Sequence, residues 1–515
     1  ISAGVTAQAA LSGGQGNDVI SYAGSGAATI MGGSGNDTLT GGTGADQIDG
    51  EVGNDSLVGA GGADTLIGGS GNDTQSGGAG ADTVRGDGGN DSLSGGSEND
   101  QVEGGLGADT IDGGAGDDVL MGGAGHDYIR TGGGATRAYG EGDDDVLEAT
   151  QLLLSGGTPG VTLEGGTGDD SLTGNSGADS LSGGTGEDTL SGGDGADTLR
   201  GGDQDDELSG GSGEDALYGD GGADTITGGS SADTIEGGSG HDSIQGGTGS
   251  SLISGGSGND TIEGGSSSDT IEGDSGDDSV LAGDGADYID GGSGVDYIHG
   301  EGGDDEIWGG SGDDQLKGGD DADAIYGDSG VDVIFGDNGV MVIDLDSIVA
   351  TTVGVTGGGD TLNGGAGNDL ILGGGAGDTI DAGADSDSVL GDFGTIVASV
   401  AGGLATITSE DGTGGADAIT LGDGADYAVA GDGDDTVTGD AGADVILGDG
   451  GSITISGGDV TATTAGADEG ADSIYGNENN DLILGGALGD TIDAGADSDS
   501  VLGDFGTIVA SVAGG

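Results

Sequence analysis

The stretch "GGSGNDTLTGGTGADQID", Gly32–Asp49, decides how the chain is read. Two glycines open each nine-residue unit, an aspartate stands sixth and an aliphatic residue eighth. With the first glycine as position 1, a clean register runs from Gly32 to Glu148, and a second from Gly165 to Phe335. Counting both runs, the first unit at Gly13 and three later blocks, 43 units carry Asp at position 6. Of these, 41 carry Ile, Leu or Val at position 8; Gln75 and Ala428 are the exceptions. A random low-complexity chain would not tie a fixed acid to an aliphatic residue two places later, so the period is a structural repeat.

Each unit divides physically in two. Positions 1–6 form a glycine-rich turn, where glycine permits left-handed backbone and close approach. Positions 7–9, such as "TLT" and "QID", predict a three-residue strand with one inward side chain between two outward ones. One inward side chain per unit is a thin core, and no unit could fold alone. Stacked units share a continuous aliphatic ladder, with backbone hydrogen bonds between coils. Helix is disfavoured throughout because glycine recurs every few residues.

The 515 residues include 137 glycines and a single proline, without the three-residue glycine period of collagen. A formal charge of −92 with 3% aromatics would by composition alone indicate disorder; the register argues otherwise. Arg85, Arg130, Arg137, Arg200 and Lys317 are the only lysines and arginines. They form no cluster that could neutralise phosphates, which argues against a nucleic-acid partner. An anionic membrane would repel the chain unless divalent ions bridged the two. Without cysteine there is no disulfide and no thiolate zinc site, which suits export in the unfolded state. No apolar run reaches the roughly 18 residues of a membrane-spanning helix. The start, "ISAGVTAQAALSGG", lacks an initiator Met and a signal peptide, and "GDFGTIVASVAGG" at the end repeats Gly391–Gly403, where the chain runs on into "LATITSE". A segment of a longer protein is the expectation.

The position-6 residues are Asp18, Asp37, Asp46, Asp55, Asp64, Asp73, Asp82, Asp91, Asp100, Asp109, Asp118, Asp127 and Asp145 before the first interruption. In the second long run they are Asp170, Asp179, Asp188, Asp197, Asp206, Asp215, Asp224, Asp233, Asp242, Asp260, Asp269, Asp278, Asp287, Asp296, Asp305, Asp314, Asp323 and Asp332. The later blocks contribute Asp360, Asp369, Asp378, Asp387, Asp417, Asp426, Asp435, Asp444, Asp472, Asp481, Asp490 and Asp499. An Asx turn explains one such residue, not 43 in register. Stacking would set these carboxylates in rows that repel unless neutralised, and five basic residues are too few. A hard divalent cation can do it, using carboxylates and turn carbonyls. Calcium tolerates irregular sites of six to eight oxygens, whereas magnesium demands a tighter octahedron. These aspartates are therefore the candidate metal ligands.

"GGSGNDTLT", "GGTGADQID", "GGAGDDVLM" and "GGSGNDTIE" resemble the nonapeptide GGxGxDxUx of RTX (repeats-in-toxin) calcium-binding proteins. The resemblance implies an all-β parallel β-roll, in which successive turns alternate sides and 18 residues make one coil. Calcium would lie between turns one coil apart, pairing Asp37 with Asp55 and Asp46 with Asp64. It also implies secretion by a one-step bacterial system that reads an uncleaved C-terminal signal, type I secretion. If the turns formed five separate rolls, each losing two end sites, roughly 33 ions would bind, bringing about +66; continuous stacking would approach +86. The expectation is roughly 30–40 calcium ions, with folding and metal binding as one event.

Residues 1–31 hold imperfect first repeats, 32–148 a first roll, 149–164 a hairpin interruption and 165–335 a second roll. Hairpins are then expected at 336–354, 391–411 and 448–466, alternating with four-repeat blocks at 355–390, 412–447 and 467–502; 503–515 begins a further hairpin. GDxG tetrads at 336, 391, 448 and 503 mark this second-order repeat, spaced by 55, 57 and 55. Ala27, Thr136, Ser251 and Met341 fill slots that lack the aspartate, and those turns are expected to bind weakly or not at all. Trp308 and Tyr326, both outward and 18 residues apart, are expected to stack or to form a lateral contact. Leu372, Leu390, Leu447, Leu484 and Leu502 occupy the same outward position and point to packing against something there. His126, His241 and His299 read as tolerated substitutions, and no HExxH, GxSxG or Walker motif is present. The sequence therefore reads as a non-enzymatic, secreted structural protein of a bacterial surface: rod, matrix, adhesin stalk, surface layer or self-associating filament. The alternative is the calcium-binding region of an exported toxin or hydrolase.

Overall fold

The computed structural model describes residues 2–3, 9–150, 158–343, 347–352, 357–399, 403–410, 414–456, 459–465, 470–503 and 506–511. Every element among them is a β-strand. The chain divides into two compact units, Ile1–Gly247 and Thr248–Gly515. Each is a parallel β-roll built from two sheets.

In both units each strand pairs with the strand one coil later, so a sheet contains every second strand. Thr65–Ser70 aligns Leu66 with Val84 and Ile67 with Arg85, and Thr74–Ala79 belongs to the opposite sheet, pairing with Ser92–Ser97. The strands are longer than the predicted three residues. Most run six, from position 7 through position 3 of the next unit, because the first two glycines extend the ladder: Gly69 pairs with Asp87. Position 8 forms the core, with Leu39, Leu57, Ile111, Ile289 and Ile307 all fully buried. The two exceptions hold their places, Ala428 fully buried and Gln75 at 2% exposure.

The interruptions do not end a roll. In the first unit Tyr139 pairs with Glu164, and Glu148 with Thr173. Val161 occupies the position-6 slot there, and Thr162–Thr167 is already a roll strand. The expected hairpin around 151–157 lies outside the described residues. In the second unit Tyr326 pairs with Asn363, Leu390 with Val429 and Leu447 with Leu484, so the ladder crosses all three insertions. Of the two cases the sequence leaves open, separate rolls with lost end sites and continuous stacking, stacking holds across these interruptions. Two empty slots also move. Ala28, not Ala27, aligns with Asp46, because the preceding unit has an extra residue. Met341 lies in a hairpin, and Asp360 fills its turn.

Gly339–Ile343 with Ser347–Thr352, Gly394–Ser399 with Gly403–Ser409, and Gly451–Ser456 with Asp459–Thr464 are antiparallel hairpins. They join edge to edge, and Thr507–Ser511 adds a seventh strand. This sheet covers one outer face of the roll. Phe335, Leu372, Leu390, Leu447 and Leu484 pack against Ala350, Ile396, Ile407, Ile453 and Val460 in one buried cluster, with Leu502 partly buried at its margin. The outward leucines thus meet the chain's own insertions. On the roll's other sheet Trp308 and Tyr326 stack, with ring centroids 4.1 Å apart and planes 18° from parallel.

Candidate metal centre

The turns place the aspartates in two rows within each unit. The backbone N–H of Asp37 donates to Oδ1 of Asp55 at 2.6 Å, and that of Asp46 to Oδ1 of Asp64 at 2.6 Å, the pairing expected from an 18-residue coil. The pattern repeats down each row and crosses the insertions: Asp323 to Asp360, Asp378 to Asp417 and Asp435 to Asp472, at 2.9 to 3.0 Å. Of the candidates, 40 are at most 3% exposed. Asp18, Asp490 and Asp499 are half-buried. Thr136 and Ser251 take up the aspartate slot in their coils, as the sequence predicts.

In most of these carboxylates one oxygen is spent on that amide; the other carries the chemistry. Oδ2 of Asp37, Asp73, Asp109, Asp170, Asp206, Asp296 and Asp314 is buried with no hydrogen-bond partner, and the same holds along most of both rows. A buried anionic oxygen without a partner is among the costliest groups a fold can hold. Protein cations do not supply the remedy. The ion pairs among the described residues, such as Arg85–Asp87 at 3.0 Å and Arg200–Asp220 at 3.2 Å, lie at the surface and include no position-6 aspartate.

Position 1 explains what else points into the site. A Cβ added to Gly309 would sit 2.7 Å from Asp314 Oδ2 and 3.0 Å from the Gly327 carbonyl oxygen. A side chain would fill the space where a carboxylate and a carbonyl of the next coil converge. Position 4 needs glycine for its backbone: Gly71 has φ +122° and stacks on the Gly53 carbonyl. Among the described residues no three His, Cys, Asp or Glu side chains form a metal cluster. Any ion here must draw on one or two carboxylates and several backbone carbonyls, an all-oxygen set that fits calcium.

The electrostatics agree. Burial, partly offset by the backbone hydrogen bond, raises Asp323 and Asp332 to about 8, with repulsion from neighbouring row members adding to it. Asp378 is pushed up to about 9 for the same reasons. Without a cation Asp323, Asp332 and Asp378 favour their protonated form at neutral pH.

Matches to the RTX calcium-binding nonapeptide repeat run over residues 22–150, 157–340, 355–389, 411–455 and 467–492. The chain belongs to the RTX calcium-binding repeat family. RTX repeats bind calcium, and proteins that carry them are typically secreted. No curated protein matches the chain. No helix among the described residues is long and apolar enough to cross a membrane.

Two features of this RTX roll escape a residue-by-residue reading of the motif. Position 5 forms a ladder of its own: the Asn36 N–H donates to Asn17 Oδ1, Asn54 to Asn36 and Asn72 to Asn54, at 3.0 to 3.1 Å. The recurrent "GND" was the available signal. The second is a further set of buried carboxylates, Asp337, Asp392 and Asp449, at most 3% exposed. The sequence marks them as hairpin starts but not as buried: the same "GD" pair at Asp87, Asp220 and Asp328 adopts left-handed backbone with φ of 68 to 69° and lies toward the surface.

Proposed function

We propose that this chain is a secreted, calcium-dependent structural protein that folds on meeting calcium outside the cell and has no enzymatic role. The observation that carries the proposal is the pair of carboxylate rows in each unit, buried at 18-residue intervals, in which residues such as Asp37, Asp73, Asp170 and Asp314 keep one oxygen unpartnered with no cationic side chain to answer it. The position-6 aspartates, with turn carbonyls, are the ligands. Continuous ladders within each unit support an ion count at the upper end of the roughly 30–40 expected. Before export, in low calcium, the chain stays unfolded through self-repulsion. In external calcium, binding and folding coincide.

A rod, matrix, adhesin stalk, surface layer or filament at a bacterial surface fits this fold. Self-association has a specific support: Gly339–Ile343 is an edge strand with Val340 and Val342 at 49% and 55% exposure. The alternative, a calcium-binding region serving an exported toxin or hydrolase, would be favoured by a catalytic or pore-forming domain on the same polypeptide.

Circular dichroism with chelator and then with millimolar calcium tests the reading. The expected outcome is coil without calcium and β-structure with it. A β spectrum at neutral pH unchanged by chelation would overturn the proposal. Sizing of the calcium-loaded chain tests assembly, and a strict monomer would remove the filament and layer forms.

A further inference from the structure

The three hairpins leave the roll at one place in the repeat. Each is inserted between positions 2 and 3 of a turn, after Gly336–Asp337, Gly391–Asp392 and Gly448–Asp449. The turn then resumes toward Asp360, Asp417 and Asp472. In an ordinary turn the position-2 carbonyl accepts the position-3 N–H one coil on, as Gly42 O does from Gly61 at 3.1 Å. At the hairpin-bearing turns the aspartate side chain takes that duty. Asp337 Oδ2 accepts from the Gly375 N–H at 2.6 Å, Asp392 Oδ2 from Asp432, and Asp449 Oδ2 from Ala487.

The other oxygen of Asp392 accepts from the Gly415 N–H at 3.3 Å, within its own turn. At Asp337 only one oxygen is so engaged. Its Oδ1 has no partner, although the residue is only 2% exposed, and it lies against Gly357, where the hairpin returns to the turn. The position-6 carboxylate of each turn comes against the residue just before the position-2 aspartate: a Cβ added to Gly336, Gly391 or Gly448 would run into Oδ2 of Asp360, Asp417 or Asp472, respectively. The lysine and arginine ion pairs of the described residues do not involve Asp337, Asp360, Asp392 or Asp417.

We propose that each hairpin-bearing turn holds a hard divalent cation with a carboxylate the nonapeptide does not contain: Asp337 beside Asp360, Asp392 beside Asp417, and Asp449 beside Asp472. This rests on the calcium reading of position 6 and extends it. Affinity for calcium rises with the number of charged ligands, so these three turns form the tightest class of sites. Each ties the neck of its hairpin to the roll.

Asparagine separates the two duties of the side chain. It keeps an acceptor for the amide of the next coil and nearly the same shape, but loses the charge. Calcium titration of the chelated full-length chain by calorimetry is the test, comparing wild type with Asp337→Asn/Asp392→Asn/Asp449→Asn. A control carries Asp87→Asn, Asp220→Asn and Asp274→Asn, which removes the same number of exposed "GD" charges. The expected result is loss of the tightest class, or a weakening of it by about tenfold, in the first variant and not in the control. If the triple variant fails to fold, Asp337→Asn alone is expected to remove or weaken one tight site. An unchanged titration in either variant overturns the proposal while leaving position 6 intact. A wild-type chain that takes up no calcium would instead overturn the reading on which the proposal rests.

Discussion

At Gln75 the repeat sets an amide where the neighbouring coils carry Leu57 and Leu93. Its Nε2 donates to the Arg85 carbonyl at 2.7 Å, while Oε1 is buried without a partner. Gln75→Leu restores the ladder and removes the unpaired acceptor. It should stabilise the calcium-loaded chain by about 1–3 kcal/mol, read as a raised thermal midpoint. The aspartates give a residue-scale prediction of the opposite kind. Their folded-state values, about 6 to 9 at Asp64, Asp323 and Asp378, exceed the ordinary 3.8, so the metal-free fold binds more protons than the unfolded chain. Its stability is therefore fully present below pH 4 and is lost as pH climbs through that window. In chelator, circular dichroism should show more β-structure near pH 4 than at pH 8; equal spectra would sink the argument. Position 6 was legible in the sequence because an aspartate and an aliphatic residue kept a fixed distance 41 times. Asp337 was not: the hairpin after it was expected, but nothing in "Gly-Asp" says that the side chain turns inward to accept an amide of the next coil.

Among the elements, the insertions departed furthest from expectation. Sequence alternation identified strands there, but not where they would lie. The clue was in the roll: "LIL" and "VIL" carry apolar residues at all three positions and "SVL" at its last two, alternating with "TLN", "TID" and "TVT". A strand apolar on both faces is covered on both faces. Ile396 sits fully buried between the hairpin sheet and the roll. Ile396→Ala should cost about 2–5 kcal/mol of local stability. Amide exchange is expected to speed up in the hairpin strands and leave Ile307–Tyr326 protected. Uniform acceleration across the unit would mean that the sheet and the roll do not open separately. Trp308, the only tryptophan, is stacked on Tyr326. Its fluorescence should change in step with the β signal as calcium is added.

For the whole molecule the governing number is −92. Calcium does two things to that charge, and only one can be imitated. Monovalent salt at about 1 M shortens the screening length to about 3 Å and quiets repulsion among exposed acids. It does not supply ligands to oxygens already cut off from water. High sodium chloride without calcium should therefore compact the chain, seen as a smaller hydrodynamic radius, without producing β-structure. Recovery of the full β spectrum in sodium chloride alone would show that screening, not coordination, governs folding.

The spacing of the hairpins in the second unit has a geometric consequence. Each coil advances the roll by about one strand spacing, some 4.8 Å, and each hairpin widens the covering sheet by two such spacings. One hairpin per two coils makes the two layers commensurate: they lengthen at the same pace, like two tapes wound off at one speed. The tile is thus two coils plus one hairpin, the 55- or 57-residue spacing of the tetrads. Excising a whole tile should leave a shorter protein in step with itself. Excising one 18-residue coil, such as Thr361–Asp378, would set every later hairpin one strand out of phase with its neighbour. The interval between insertions is therefore a tolerance that lengthening by duplication has to respect, copying whole tiles or none.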